Sequence, residues 1–370
     1  KNMNILTIGS DRKIFDETSN VKKRAVDYGS LVNEYYVIVF TQKSLGLKIK
    51  QLSGNTWAIP TNSSNKWFYI WDAYKIGRKM AEIDLVSSQD PFESGLAGFL
   101  ISRFLKTKFQ IQIHTDFKNP YFKKSFLNKI RLILAGITLP KADLIRVVST
   151  KIKKSLKDYK LKAKITILPI FVDLEKNESK EALFDVHDRF PTFSKIILMT
   201  TRLEEEKRVS LALKVFKGLI KKHKDIALVI VGDGRERKNL VGESKKLGIN
   251  KNVFFEGWRD DLISYYKTSD VLLSTSLYEG YGLSLIEASS LGLPVVTTDV
   301  GIAGDILINN TNALVCPVED FGCLRDSLTK LIEDESLYEK LKKNSLNVSE
   351  RLIYKNKFDY LDAYKKSWRI

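Results

Sequence analysis

What most narrows the fold of this chain is an alternation of short β-rich runs with helical patterns, played through twice along 370 residues. In the first half, Asn4–Ile8, Tyr35–Phe40, Asp84–Ser88, Phe109–His114, Asp143–Val148 and Ile165–Pro169 read as strands. Helical patterns lie between several of them, at Trp67–Met80, Gly95–Leu105 and Lys151–Tyr159. A polar, charge-rich stretch without a clean period follows, Asp173–Ser194. Alternation then restarts with strands at Lys195–Thr201, Ala227–Val231, Val253–Glu256, Val271–Thr275, Pro294–Thr297 and Ala313–Val315. Helices are expected at Lys207–Lys221, Glu236–Leu247, Leu262–Lys267, Leu283–Leu291, Phe321–Glu333 and Leu337–Asn347, and a last one near Glu350–Trp368 has no strand after it. Such alternation implies parallel sheets with helices on both faces. The expected class is α/β, with two doubly wound domains: residues 1–171, a connection at 172–194, residues 195–348, and a C-terminal helix at 349–370 crossing back to the first domain. Length agrees, because a single core rarely grows past about 250–300 residues. Ligands of such sheets sit outside the carboxyl ends of the strands, which makes a deep cleft between the domains the expected site.

With 44% hydrophobic and 28% charged residues, the chain is neither disordered nor collagen-like. The uncharged runs Leu132–Pro140 and Ala288–Thr298 fall short of the roughly 20 apolar residues of a membrane span. No basic, apolar and small-residue leader opens the sequence, so a soluble cytoplasmic protein is expected. Two cysteines, Cys316 and Cys323, are too few for a disulfide framework and fit a reducing compartment. With three histidines, His114, His187 and His223, a zinc site built from His and Cys is not expected.

The net charge of +17 is concentrated at one end. Residues 1–170 hold 30 Lys+Arg against 13 Asp+Glu, whereas the remaining 200 hold 31 of each sign. Within residues 101–164 there are 17 basic side chains and three acidic ones, Asp116, Asp143 and Asp158. A nucleic-acid partner is not expected, for no zinc finger, basic zipper or interleaved aromatic platform accompanies the charge. Two readings remain: a solvated Lys-rich surface, or reversible docking on an anionic membrane leaflet, where each Lys or Arg contributes about 1 kcal/mol. Pro120–Leu139 suits docking, with Phe122, Phe126, Ile130, Ile133 and Leu134 at helical spacing flanked by Lys123, Lys124, Lys129 and Arg131. The same pattern also suits an ordinary amphipathic helix packed on a sheet.

The chemistry gathers at strand ends of the second half. Tyr278, Glu279, Gly280, Tyr281, Gly282, Leu283 and Ser284 lead from a strand into a helix that carries Glu287. Gly280 and Gly282 permit a tight turn and close ligand approach. The first amides of the helix, at Leu283 and Ser284, would face an anion with unpaired N–H groups. Two acids beside one anion site make sense if the ligand also carries hydroxyls, which is the layout of a nucleotide sugar. Arg202 ends a strand and Lys207 starts the next helix, so both can face that ligand and offset its diphosphate charge.

These residues carry a resemblance. Arg202 with Lys207, Val231-Gly232-Asp233-Gly234, Phe255-Glu256-Gly257, and Glu279 and Glu287 with seven residues between them resemble glycosyltransferase family 4. Ala142-Asp143 through Ser149 and Leu168-Pro169-Ile170-Phe171-Val172-Asp173 extend the match. The family implies a GT-B fold, two Rossmann-like domains facing across a deep cleft, and retaining transfer from a nucleotide sugar, a UDP- or GDP-sugar, with no further cofactor and no metal. Carried over, Glu279 contacts the donor sugar hydroxyls, Glu287 binds the ribose, and Arg202 with Lys207 clamps the diphosphate. Gly257 and Trp258 lie against the base, and His114 lies near the transferred sugar. Gly9 is a phosphate neighbour, in a Gly9-Ser10 turn that reduces the family's Gly-Gly, and Ser149 matches a serine facing the cleft. Ile170-Phe171 replaces the family's Asn-Gly. The implied acceptor is a sugar, a lipid-linked species or an envelope glycan, handled at the inner face of the cytoplasmic membrane. Two rivals stand beside it: a nucleotide-sugar 2-epimerase on the same architecture, and a non-catalytic basic adaptor for polyanions or lipid.

Overall fold

The computed structural model describes residues 3–369. They form two compact units: residues up to Pro169 together with those from Lys357 onward, and Ile170–Asn356.

The first unit is built on an eight-stranded sheet: β1 (Asn4–Gly9), β2 (Glu34–Val39), β3 (Lys50–Ser53), β4 (Thr56–Pro60), β5 (Leu85–Ser88), β6 (Lys108–Ile113), β7 (Leu144–Val147) and β8 (Lys164–Ile167). The order is β3-β4-β2-β1-β5-β6-β7-β8, parallel throughout except for β3 against β4 at the edge. Strands β1, β5 and β7 are almost wholly buried, polar residues such as Ser87 and Arg146 included, as central strands of a parallel sheet are when helices cover both faces. Helices α1 (Asn20–Gly29), α2 (Tyr69–Gly77), α3 (Glu93–Leu105), α4 (Phe126–Thr138) and α5 (Thr150–Ser155) complete the layers. Ala73, Ala97 and Ile101 of α2 and α3 pack with Leu6, Ile8, Ile38 and Val86 on one face. α4 lies on α3, through Arg131 to Glu93 at 3.0 Å and Thr138 Oγ1 to the Pro91 carbonyl at 2.6 Å.

The β3–β4 hairpin and α1 were not expected from sequence. Lys50–Ser53 is a short polar edge strand without an apolar alternation, and α1 is predominantly polar and buries only Ala25 and Gly29.

The second unit opens with two short helices, α6 (Leu174–Glu178) and α7 (Val186–Arg189), within the stretch expected as a connection. Its six strands are β9 (Lys195–Thr200), β10 (Ile226–Val231), β11 (Val253–Gly257), β12 (Val271–Ser274), β13 (Val295–Thr298) and β14 (Leu314–Cys316). They lie in the order β11-β10-β9-β12-β13-β14, all parallel. Around them stand α8 (Val209–Leu219), α9 (Arg237–Lys246), α10 (Ile263–Thr268), α11 (Leu283–Ser290), α12 (Phe321–Glu333) and α13 (Glu335–Leu346). Leu213 and Phe216 of α8 with Leu324 and Leu328 of α12 close the core over Ile197, Leu228 and Leu273.

Two expectations are corrected here. Helix α8 begins at Val209 rather than at Lys207, because Arg208 stands at φ 51 and breaks the helical path behind a single 3-10 turn at Glu205–Lys207. Cys316 and Cys323 are too few for a framework but form one local disulfide, Cα–Cα 5.7 Å, where β14 crosses into the first turn of α12. The last helix, α14 (Lys357–Lys366), belongs to the first unit: Tyr364 stacks on Tyr28 of α1 at 3.9 Å, and Lys357 pairs with Asp27 at 2.8 Å.

Candidate active site

In the second unit the strand order reverses between β9 and β12, and the chain leaves these neighbours in opposite directions. Loops at such a point diverge and leave room for a ligand. Here they are stitched together at their base: Thr275 Oγ1 donates to the carbonyls of Lys207 (2.9 Å) and Arg208 (3.0 Å), and the Leu277 amide donates to the Glu206 carbonyl (2.8 Å). The break at Arg208, whose guanidinium pairs with Glu319, turns Lys207 inward. Its ammonium bonds the Glu279 carboxylate, which also accepts from Ser276 Oγ at 2.9 Å.

Arg202 is placed differently. It is exposed, pairs loosely with Glu206 at 3.4 Å, and does not bond Glu279. It shares the rim nonetheless. Burial pushes the Tyr278 phenol up to about 12, and the charges acting on it are Glu206, Arg202, Glu205 and Glu279.

Helix α11 starts on Gly282 at φ 102 with no side-chain cap, so the amides of Leu283 and Ser284 are offered to a ligand. Gly280 precedes them in the turn, while the Tyr281 side chain is buried and its carbonyl accepts from the Ile302 amide at 3.0 Å. Gly301, at φ 57, lies against this turn; a Cβ there would stand 2.3 Å from the Tyr281 carbonyl oxygen. One turn into α11, burial raises the Glu287 carboxyl to about 6, and Tyr266 Oη donates to it at 3.5 Å while meeting Thr200 Oγ1 at 3.0 Å.

The glycines of the neighbouring loops allow close packing. A Cβ on Gly232 would meet the Thr201 carbonyl at 1.9 Å, and one on Gly234 the Leu203 carbonyl at 2.3 Å. Gly257 stands at φ 72, and Trp258 beyond it is 60% exposed, a flat apolar surface at the same edge of the sheet. Thr275, Ser276 and Tyr266 were missed in the sequence reading. A polar residue at a strand end, such as Thr275 or Ser276, or a tyrosine within a helix, such as Tyr266, gives no hint of which distant group it will bond.

In the first unit Gly9 ends β1, and a Cβ there would lie 2.2 Å from Gln89 Oε1. Ser149 is buried and caps α5, its Oγ accepting from the Ile152 amide at 3.3 Å. His114 follows β6 with Nε2 3.2 Å from Gln112 Oε1. Burial, reinforced by the nearby Arg146 and Arg24, lowers its pKa to about 3, so the ring is neutral at pH 7.

Helix α4 turns its apolar stripe outward. Phe126 is 78% and Ile133 65% exposed, with Leu127, Ile130 and Ile137 beside them, whereas Phe122 is buried and stacked on Phe92. Trp67 (88%), Trp71 and Phe104 are also exposed at and beside α2 and α3. No group of three or more His, Cys, Asp or Glu that could hold a metal ion occurs among the described residues, and none of their helices is long and apolar enough to cross a membrane.

Two Rossmann-like units, the second with loops gathered at a reversal of strand order, define a doubly wound α/β protein. The comparisons sharpen this. The family model for glycosyl transferases group 1 matches residues 181–348 and that for glycosyltransferase family 4 matches residues 31–176. The chain therefore belongs to the family 4 glycosyltransferases of the GT-B type. Among curated relatives, the alpha-monoglucosyldiacylglycerol synthase of Streptococcus pneumoniae is 27% identical over 59% of this chain and 52% of its own length. The Staphylococcus aureus capsular polysaccharide biosynthesis glycosyltransferase CapM is 32% identical over 39% and 38%. The chain spans about half the length, or less, of the curated relatives it matches. Among solved structures, Anabaena HepE in complex with UDP and glucose has a TM-score of 0.76 at 17% identity, covering 99% of both chains. Sucrose-phosphate synthase from Thermosynechococcus elongatus reaches 0.81 at 19% identity, covering 99% of this chain and 98% of that one. At these identities the likeness is one of fold.

Proposed function

We propose that the protein is a retaining hexosyltransferase that moves a sugar from a nucleotide-diphosphate donor, a UDP- or GDP-sugar, to the hydroxyl of a lipid-linked or envelope-glycan acceptor. The observation that carries this is the pairing of Lys207 with Glu279 beside the uncapped start of α11. An ammonium, an acid and two free amides meet at one strand edge, as a sugar diphosphate requires.

In this reading the donor diphosphate takes the place of Glu279 as the partner of Lys207, with Arg202 swinging in from the rim. Glu279, released but still held by Ser276, turns to the sugar hydroxyls. The anomeric bond to the diphosphate breaks to an oxocarbenium-like ion pair. The acceptor hydroxyl attacks from the same face and gives its proton to a donor phosphate oxygen, so configuration is retained. Lys207, Arg202 and the amides of Leu283 and Ser284 stabilise the departing charge. Two cations supply the compensation, so no step calls on a metal. Glu287 receives the ribose hydroxyls and Trp258 and Gly257 the base, while the roles of His114 at the sugar and Gly9 at a phosphate are those the family resemblance implies.

The basic first unit and the outward apolar stripe of α4 support a peripheral place on the inner face of the cytoplasmic membrane, which suits a lipid-linked acceptor. The glycolipid synthase among the relatives points the same way, and the UDP bound by Anabaena HepE makes UDP-glucose the first donor to test. The test is transfer of labelled sugar to lipid extracts with Lys207→Ala and Arg202→Ala. Each is expected to lose about 10²–10³-fold in turnover, as removal of one transition-state donor does. Full turnover in both variants rejects the reading.

A further inference from the structure

A continuous polar chain runs along one face of β6 in the first unit and ends on His114. The Ser367 carbonyl, just beyond α14, accepts from Gln110 Nε2 at 2.7 Å. Ser87 Oγ donates to Gln110 Oε1 at 3.0 Å, Gln112 Nε2 donates to Ser87 Oγ at 2.9 Å, and Gln112 Oε1 meets His114 Nε2 at 3.2 Å. Gln110, Ser87 and Gln112 are all buried, so water does not compete for these bonds.

The direction of the chain is forced from its far end. A carbonyl oxygen only accepts, so Gln110 must turn its amide nitrogen to Ser367 and its oxygen to Ser87. The single hydroxyl proton of Ser87 then goes to Gln110, leaving Ser87 an acceptor, and Gln112 must show it the amide nitrogen. Gln112 therefore presents oxygen to His114, and the ring nitrogen facing it must carry the hydrogen.

We propose that Gln110, Ser87 and Gln112 are positioning residues which, anchored on the Ser367 carbonyl, hold His114 in the Nε2–H tautomer and leave Nδ1 bare as a hydrogen-bond acceptor. In the proposed reaction a neutral ring with a bare Nδ1 orients a substrate hydroxyl rather than donating to it. The lowered pKa of His114 agrees with a ring that stays neutral. The consequence for catalysis rests on the role proposed above for His114; the tautomer does not.

The experiment is ¹⁵N NMR of the full chain labelled at histidine, where three imidazoles give few signals and His114→Asn assigns the one of interest. The expected wild-type spectrum at pH 7 shows a protonated Nε2 and a bare Nδ1, the pattern persisting to pH 5. Ser87→Ala, which shortens a buried side chain and is checked for folding by its melting curve, is expected to bring in the Nδ1–H form. Its kcat is expected to fall about tenfold with donor KM unchanged, as for outer partners of a functional histidine. Gln112→Glu keeps an acceptor on Nε2 and should retain the Nε2–H signal. A wild-type ring protonated at Nδ1, or a Ser87→Ala spectrum identical to wild type, overturns the relay. A spectrum as expected combined with full transfer activity in His114→Asn keeps the relay and removes the proposed role of His114 instead.

Discussion

At the scale of single residues, the site is a set of groups held in readiness for charge. Glu287 illustrates the cost. Its carboxyl is raised to about 6, so its ionised form is disfavoured by folding, and stability falls as pH rises from the ordinary carboxylate range through about 6. Glu287→Gln should therefore melt higher than wild type at pH 8 and no differently below pH 4, where both side chains are neutral. If the carboxylate receives the ribose, the same variant should lose the donor-induced rise in melting temperature, and wild-type donor affinity should weaken as pH drops through about 6. Parallel wild-type and variant melting curves across this range would remove Glu287 from the site. A kindred trade is proposed at Lys207, whose ammonium is engaged by Glu279 and would exchange that partner for the donor diphosphate.

At the scale of elements, function depends on breaks in regularity. Arg208 at φ 51 ends the path of α8 one residue after Lys207, and Gly282 at φ 102 leaves α11 uncapped. Gly301 lets its loop lie on the Tyr281 carbonyl, so Gly301→Ala should cost about 1–3 kcal/mol of stability and weaken donor binding with it, which denaturant melts and nucleotide titration check. Helix α4 is regular but inside out, with its apolar stripe in solvent. Ile130→Glu with Ile133→Glu should leave stability within about 0.5 kcal/mol, as surface changes do, yet reduce sedimentation with phosphatidylglycerol vesicles severalfold. Vesicle binding equal to wild type would make α4 a merely solvated helix. The spacing of Phe126, Ile130 and Ile133 was legible in sequence; which way the stripe faced was not, because amphipathicity looks the same whether the partner is a core or a membrane.

At the scale of the whole molecule, charge and chemistry are divided. The surplus of +17 lies in the first 170 residues, while the remainder is balanced and carries the paired acids and cations. Vesicle association should therefore weaken steeply as salt shortens the Debye length from about 10 Å at 0.1 M to about 3 Å at 1 M. Nucleotide binding by the partly buried second-unit site should change far less. Equal salt dependence of the two would contradict this division. The sequence by itself determined the class and number of the sheets, since strand–helix alternation allows few other folds, and it singled out Arg202, Lys207, Glu279 and Glu287 as candidates through the spacing of short motifs. Only the tertiary structure decided that Lys207 bonds Glu279, that Arg202 stands apart on the rim, that Cys316 joins Cys323, and that a serine carbonyl beyond α14 fixes the hydrogen on a histidine 253 residues earlier in the chain. Local sequence sets the periodicity of each element, but hydrogen-bond partners and ion pairs between distant residues depend on which strands lie side by side, and no single segment encodes that.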